Sequence, residues 1–254
     1  MENQQFSNMP PQSQNPALSG IGDLLSRSWQ IYKNRFWVFI GIMVIPTLIV
    51  LIFGIATAGL VLGLQSSPEA LLLSLGIWII LLPIVILIIL TLYLLANIAL
   101  IVSIIERERK IGIKEAFALG RGKILSYLWV SILTGLAVVV GLLLLIVPGI
   151  IFAVWFSFAS YVLIAEGVTG TRALSRSKEL VSGYWWAIFW RFLALVVIAI
   201  IISIIVGLIK ELIGLSKQID ISSFFNSLVF SPFAAVYTFL IYEELKRIKG
   251  GTVI

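Results

Sequence analysis

Six apolar runs almost free of charge dominate this chain: Phe36 to Leu64, Leu71 to Ile105, Ile124 to Val147, Ile150 to Ala165, Phe192 to Ile209 and Phe224 to Tyr242. About 20 such residues cross a hydrocarbon core roughly 30 Å thick, so each run reads as a membrane span. The fold class that follows is an all-α integral membrane protein with six transmembrane helices. The second run, at 35 residues, exceeds one upright span. Pro83 is expected to divide it, leaving Ile84 to Ile105 as the span and Leu71 to Leu82 as an outer extension. Pro148-Gly149 is expected to part spans 3 and 4, with Trp155 at the outer interface and Tyr161 at the inner one. Asn226, Ser227, Ser231 and Pro232 interrupt the sixth run, which is kept because the charges call for an even number of spans.

Of the 18 Lys and Arg residues, 16 precede an odd span, follow an even one or lie between the two, and only Lys210 and Lys217 fall on the opposite side. Lys and Arg stay cytoplasmic, which places both termini inside a multi-pass protein of the cytoplasmic membrane. The same reading makes the net charge of +6 a record of topology, with no nucleic-acid partner implied. At 60% apolar and 12% charged, against roughly 25% charged in a soluble domain, the chain leaves little room for a soluble catalytic unit. It has no Cys and no His, which removes disulfides, thiolate nucleophiles, imidazole bases and ordinary zinc or haem ligation. No cofactor and no enzymatic activity are expected. Residues 1–19, rich in Asn, Gln, Ser and Pro, read as a disordered tail. They lack the basic start and apolar stretch of a secretory signal, so insertion is expected to depend on the first span. Residues 20–249 form one membrane domain, followed by a short tail at 250–254.

The domain carries an internal repeat. Leu25 to Ser28 (LSRS) recurs at Leu174 to Ser177, and Trp37 recurs at Trp186, both at an offset of 149 residues. A weaker copy, Ala116 to Trp129, matches Ala173 to Trp186 at an offset of 57. The expected organisation is three parallel repeats (about 20–105, 112–165 and 171–245), each a short amphipathic helix followed by a two-helix hairpin, around a pseudo-threefold axis along the membrane normal. Leu24, Ser28 and Tyr32 share one face of the first short helix, and Leu174, Ser177 and Val181 one face of the third. Such stripes beside basic residues and Trp suit either a helix in the headgroup region or a loop helix packed on the bundle.

Spans 2, 4 and 6 carry more polar groups than spans 1, 3 and 5, which places the even spans inside the bundle. Asn97, Tyr161 and Asn226 are the candidates for a polar interior, as cavity lining or as interhelical hydrogen bonds. Glu166 and Arg191, at the cytoplasmic boundary, form a candidate charge pair, with snorkelling as the other reading. Arg27, Arg172 and Arg176 on the amphipathic helices are candidate contacts for anionic lipid headgroups. The pattern G-x-x-x-G at Gly59 to Gly63 would allow close helix approach.

The segment Val147 to Leu193, with Pro148-Gly149, Glu166-Gly167, Ala173-Leu174, Ser177, Gly183 and Trp186, resembles a prokaryotic family of six-span proteins of unassigned function. That family is similar to the membrane domain of some glycerophosphoryl diester phosphodiesterases. The N-terminal Leu25 to Trp37 segment fits the same family, extending the resemblance over residues 20–245. It implies a fold without an assigned reaction, and the soluble phosphodiesterase domain of some relatives is not present in these residues. The leading expectation is a non-enzymatic scaffold or partner-binding module, with membrane lipids, anionic ones included, and a membrane protein as partners. The alternative is a transporter or lipid-handling protein for an anionic or amphipathic small molecule, which a continuous cavity among spans 2, 4 and 6 would favour.

Overall fold

The computed structural model describes residues 18–64, 68–213 and 224–250 and, within them, every side chain except those of 58–64, 68–78 and 80. The described residues are helical and include no strand. A short helix α1 (Ile21–Asn34) leads into α2 (Phe36–Leu64), and α3 (Pro68–Ile105) returns. Helix α4 (Ile113–Gly120) and a 3-10 turn (Arg121–Lys123) lead into α5 (Ile124–Leu144), and the pair α6 (Ile146–Phe156) and α7 (Ala159–Glu166) returns. Helix α8 (Thr171–Val181) leads into α9 (Trp185–Leu212), and a π-helical turn (Asn226–Phe230) continues into α10 (Ser231–Ile248). Among the described residues six segments are long and apolar enough to cross a membrane: Phe36–Thr57, Leu81–Ile105, Ile113–Leu144, Ile146–Glu166, Trp185–Leu212 and Asn226–Ile248. The protein is a multi-pass all-α membrane protein.

The break expected at Pro83 does not occur, and the one expected at Pro148-Gly149 lies just before it, at Leu145. Helix α3 runs unbroken through Pro83, because a chain in hydrocarbon can satisfy its backbone only by staying helical or by finding protein partners. Its 38 residues extend for about 57 Å, well beyond one hydrocarbon core. Between spans 3 and 4 the turn is made by Leu145 alone, in extended conformation (φ −170°, ψ 159°). Pro148 sits in the first turn of α6, where its missing N–H would have had no helical partner. Glycine makes this hairpin tight: a Cβ on Gly149 would lie 2.4 Å from Leu142 Cδ2 and 3.0 Å from the Leu142 backbone nitrogen. At the other end of span 4, Gly167 caps α7 at φ 71°, the left-handed conformation that suits glycine at a helix end.

The even spans form the core. Over an apolar stretch of 18 residues in each span, the share buried in the protein is 33, 39 and 50% for spans 2, 4 and 6, against 22, 11 and 0% for spans 1, 3 and 5. Ala99, Leu100, Val162, Leu163, Leu240 and Ile241 are buried where the even spans meet. The short helices pack in rotation: α1 on α10, α4 on α3, and α8 on α6 and α7. Spans 1 and 3 pack chiefly on the helices that follow them, α3 and α6, and the odd spans make lesser contacts with the preceding even spans, α2 with α10, α5 with α3 and α9 with α6. The apolar stripes of the short helices therefore face protein: Leu24, Tyr32, Ala173, Leu180 and Val181 are all buried. These helices are thus loop helices packed on the bundle, as one of the two readings has it. The expected tail is shortened too, since Leu18 and Ser19 accept hydrogen bonds from Arg191 and Ser19 also meets Glu244. Residues 1–17, Lys217, residues 251–254 and the side chains around Gly59 and Gly63, with that of Trp78, lie outside the described residues.

Candidate functional site

The charged residues of the short helices, the α3–α4 connection and the end of α10 meet at one end of the bundle. The junction is built by three consecutive residues of α10. Each helical residue is turned about 100° from the last, so Tyr242, Glu243 and Glu244 point to three different neighbours. The Tyr242 hydroxyl donates to Glu166 Oε1 at 2.7 Å, joining α10 to the end of span 4. Glu243 accepts from Arg107 Nη2 at 2.9 and 3.2 Å, joining it to the end of span 2. Glu244, only 3% exposed, accepts from Arg27 Nη1 at 2.6 Å and from the backbone N–H and hydroxyl of Ser19, joining it to α1. The three contacts make α10 the hub of the charged end. Glu243 and Glu244 are not among the residues that the sequence singles out. The apolar run of α10 and its paired acidic end were the available signal that the stretch from Val236 to Leu245 is mostly buried.

Each of the candidate residues has a definite place. Glu166 and Arg191 are not brought together. Glu166 pairs with Arg176 Nε at 3.3 Å and lies 4.0 Å from Lys246. Arg191 donates to the carbonyl oxygens of Ala187, Leu18 and Ser19, and its own carbonyl accepts from Tyr237. Neither side chain snorkels freely, because both are tied to protein at the boundary. Of the candidate lipid contacts, Arg27 is held by Glu244 and Arg176 by Glu166 and Glu179, while Arg172 is exposed and has no ion-pair partner among the described residues. Tyr161 is in the interior and donates to the Ala235 carbonyl of α10 at 3.0 Å. Asn226 reaches Ser203 Oγ on α9 at 3.0 Å, an interhelical bond. Asn97 is half-buried and donates within its own helix to the Tyr93 carbonyl, so it does not join the other two.

Cations at the start of spans 1, 3 and 5 hold carbonyl groups of neighbouring segments. Arg35 donates to the Ser103 carbonyl at the end of span 2 and to that of Ile111, two residues before α4. Arg191 reaches Ser19, two residues before α1. Lys123 donates to the Ile164 carbonyl at the end of span 4. Burial pushes the Arg35 guanidinium below its usual pKa, yet it stays a cation at any physiological pH.

Span 4 is broken at Ser157 and Phe158, and α8 repairs the break. Ser177 Oγ donates to the Trp155 carbonyl at 2.7 Å and accepts from the Phe158 N–H at 3.1 Å. Lys178, on the same helix, lies 4.4 Å from the Trp155 ring. Trp155 is therefore a partner of α8, and this corrects its assignment to the far interface.

Among the described residues no cluster of three or more carboxylates is placed to hold a metal ion. The chain matches no family model, no curated protein and no solved structure.

Proposed function

We propose that the chain is a non-enzymatic, multi-pass scaffold of the cytoplasmic membrane, made of three parallel units, with its charged end and both termini in the cytoplasm. The observation that carries this reading is the packed meeting of the even spans, where Ala99, Ala159, Val162 and Ile241 are at most 1% exposed. A carrier needs a polar path or a binding cavity there. The carboxylates Glu166, Glu243 and Glu244 at the charged end are committed to Arg176, Arg107 and Arg27, and the sequence supplies neither His nor Cys for chemistry.

The three-unit organisation is supported by matching environments. Leu24, Ala116 and Ala173, which correspond at the offsets of the repeat, are all at 0% exposure. The next corresponding set, Ser28, Gly120 and Ser177, is a small residue buried in each short helix. Trp37, Trp129 and Trp186 are exposed at 80, 55 and 66%. The rotation of contacts, in which each short helix and each odd span touches the preceding even span with α10 closing onto α1 and α2, is what a cyclic threefold arrangement requires. The resemblance to six-span proteins related to phosphodiesterase membrane domains belongs with this proposal and assigns no reaction. Basic residues on the cytoplasmic side would also favour anionic lipid around the protein.

Lipid handling is the second reading, favoured by two lateral crevices beside α9. One, of about 560 Å³, lies between α9 and the π-helical turn and contains Ser203 and Asn226. The other, of about 320 Å³, runs from Trp29 and Tyr32 to Phe233 along the opposite flank.

The chain contains no cysteine, so single thiols can test the packed centre directly. Ala99→Cys and Ala159→Cys should resist a small water-soluble thiol reagent in membranes, while Trp37→Cys reacts. Labelling at Ala99 and Ala159 at the rate of Trp37 would replace the scaffold by a protein with a central aqueous path.

A further inference from the structure

We propose that the cleft between the end of α1 and the α3–α4 connection is a binding site for a phosphate group. The cleft has a volume of about 370 Å³ and is lined by Ile31, Asn34, Arg35, Val38, Arg107 and Lys110. Its charge is one-sided. Three cations line it and no carboxylate does. Glu243 offsets Arg107 from behind, at 2.9 Å, so the charges of Arg35 and Lys110 remain.

Arg35 is 9% exposed and has no carboxylate partner among the described residues. It gives one N–H from each terminal nitrogen to the carbonyls of Ser103 and Ile111, which leaves three of the five donors of its fork for a ligand in the cleft that it lines. A guanidinium held this way is preorganised for oxyanion recognition, because its orientation is fixed before the ligand arrives. Lys110 supplies the second observation. At φ 52° it is the only non-glycine among the described residues in the left-handed region, a conformation that costs energy for an ordinary side chain and clusters at binding sites. Its side chain is exposed and forms no ion pair among the described residues. Asn34 adds an exposed amide that can donate to the same oxygens. Ile31 and Val38 give the cleft an apolar flank.

Depth favours the same chemistry. Arg35 immediately precedes span 1, and Trp37 and Trp29 beside it are 80 and 50% exposed, the placement of aromatic residues at a membrane–water interface where lipid phosphates lie. A phosphate could also arrive on a soluble molecule. The inference does not depend on the scaffold reading, since it concerns a surface cleft and not the even-span centre.

The full chain in maltoside micelles, with the variants Lys110→Gln, Asn34→Ala and Arg121→Gln, tests it by native mass spectrometry. Phosphatidylglycerol should be retained by the wild type and by Arg121→Gln. Retention should fall about fivefold in Lys110→Gln, the effect of one well-placed cation, and in the same direction in Asn34→Ala. Oleate, an anionic amphiphile without phosphate, should show no dependence on Lys110. Inorganic phosphate, added alone during thermal unfolding, identifies the source. A rise in melting temperature in the wild type that is lost in Lys110→Gln assigns a soluble phosphate, and an effect of phosphatidylglycerol alone assigns the lipid. Equal retention in Lys110→Gln and Arg121→Gln, oleate binding with the same Lys110 dependence, or no response to either phosphate source would overturn the proposal. Lys110 and Asn34 are exposed and hold no other element, so unchanged melting temperatures without ligand separate lost binding from lost folding.

Discussion

At the residue scale the protein's charged end is organised by burial more than by net charge. Glu244 is almost fully covered and receives three donors, so Glu244→Ala should lower unfolding stability by about 2 kcal/mol, the range of hydrogen bonds to a charged group. Arg172→Ala, at an exposed site without an ion pair, should change it by less than about 0.5 kcal/mol. Equal effects in thermal unfolding of the solubilised chain would contradict the hub at α10. Tyr32 gives a test of the opposite sign. Its hydroxyl is buried without a hydrogen-bond partner, so Tyr32→Phe should leave stability unchanged or raise it. Burial pushes the Tyr32 pKa up from 10.0 to about 12. The folded state thus favours the neutral phenol, and its contribution is whole below pH 10 and lost as pH rises from there through about 12. Tyr32→Phe should remove that part of the alkaline decline, and identical alkaline profiles would refute the assignment. Placement near the boundary was legible for Glu166 and Arg191, because both follow or open an apolar run. Their partners were not, since pairing depends on the angle at which each helix presents its side chains, and that angle is fixed only when α8 and α10 have packed.

At the scale of elements, six spans and three short helices were readable because hydrocarbon demands about 20 apolar residues per crossing and basic residues mark one set of ends. The two prolines depart from expectation for different reasons. In hydrocarbon the backbone has no better alternative to a helix, so Pro83 is carried inside α3, whereas Pro148 stands in the first turn of α6, where its missing N–H costs nothing in any solvent. Nor does the sequence distinguish Ser28 from Ser177, which occupy the same place in the LSRS motif. Ser28 donates only to Leu24 of its own helix, whereas Ser177 satisfies both sides of the break in span 4. Ser177→Ala should therefore cost about 1–3 kcal/mol and Ser28→Ala much less, because only the first leaves buried backbone groups unpaired. Comparing the two unfolding temperatures decides it: a larger loss in Ser28→Ala would mean that the break is satisfied in some other way.

At the scale of the whole molecule, α10 packs on α1 and α2, and in the proposed threefold arrangement this contact closes a ring of three hairpins. Closure brings residues more than 200 positions apart into contact, such as Arg27 with Glu244, and this the repeat could suggest only in outline. Topology follows from charge, and reporter fusions at Met1 and Ile254 should both report the cytoplasm. Activity of either fusion only outside the cytoplasm would reverse the orientation. In the proposed threefold arrangement Trp37, Trp129 and Trp186 would be corresponding positions, and all three are exposed. Spin labels placed pairwise at these positions in the cysteine-free chain, with distances measured by pulsed electron paramagnetic resonance, test it most directly. The account predicts three similar distances, the sides of a nearly equilateral triangle. One separation far longer than the other two would contradict a ring of three equivalent units.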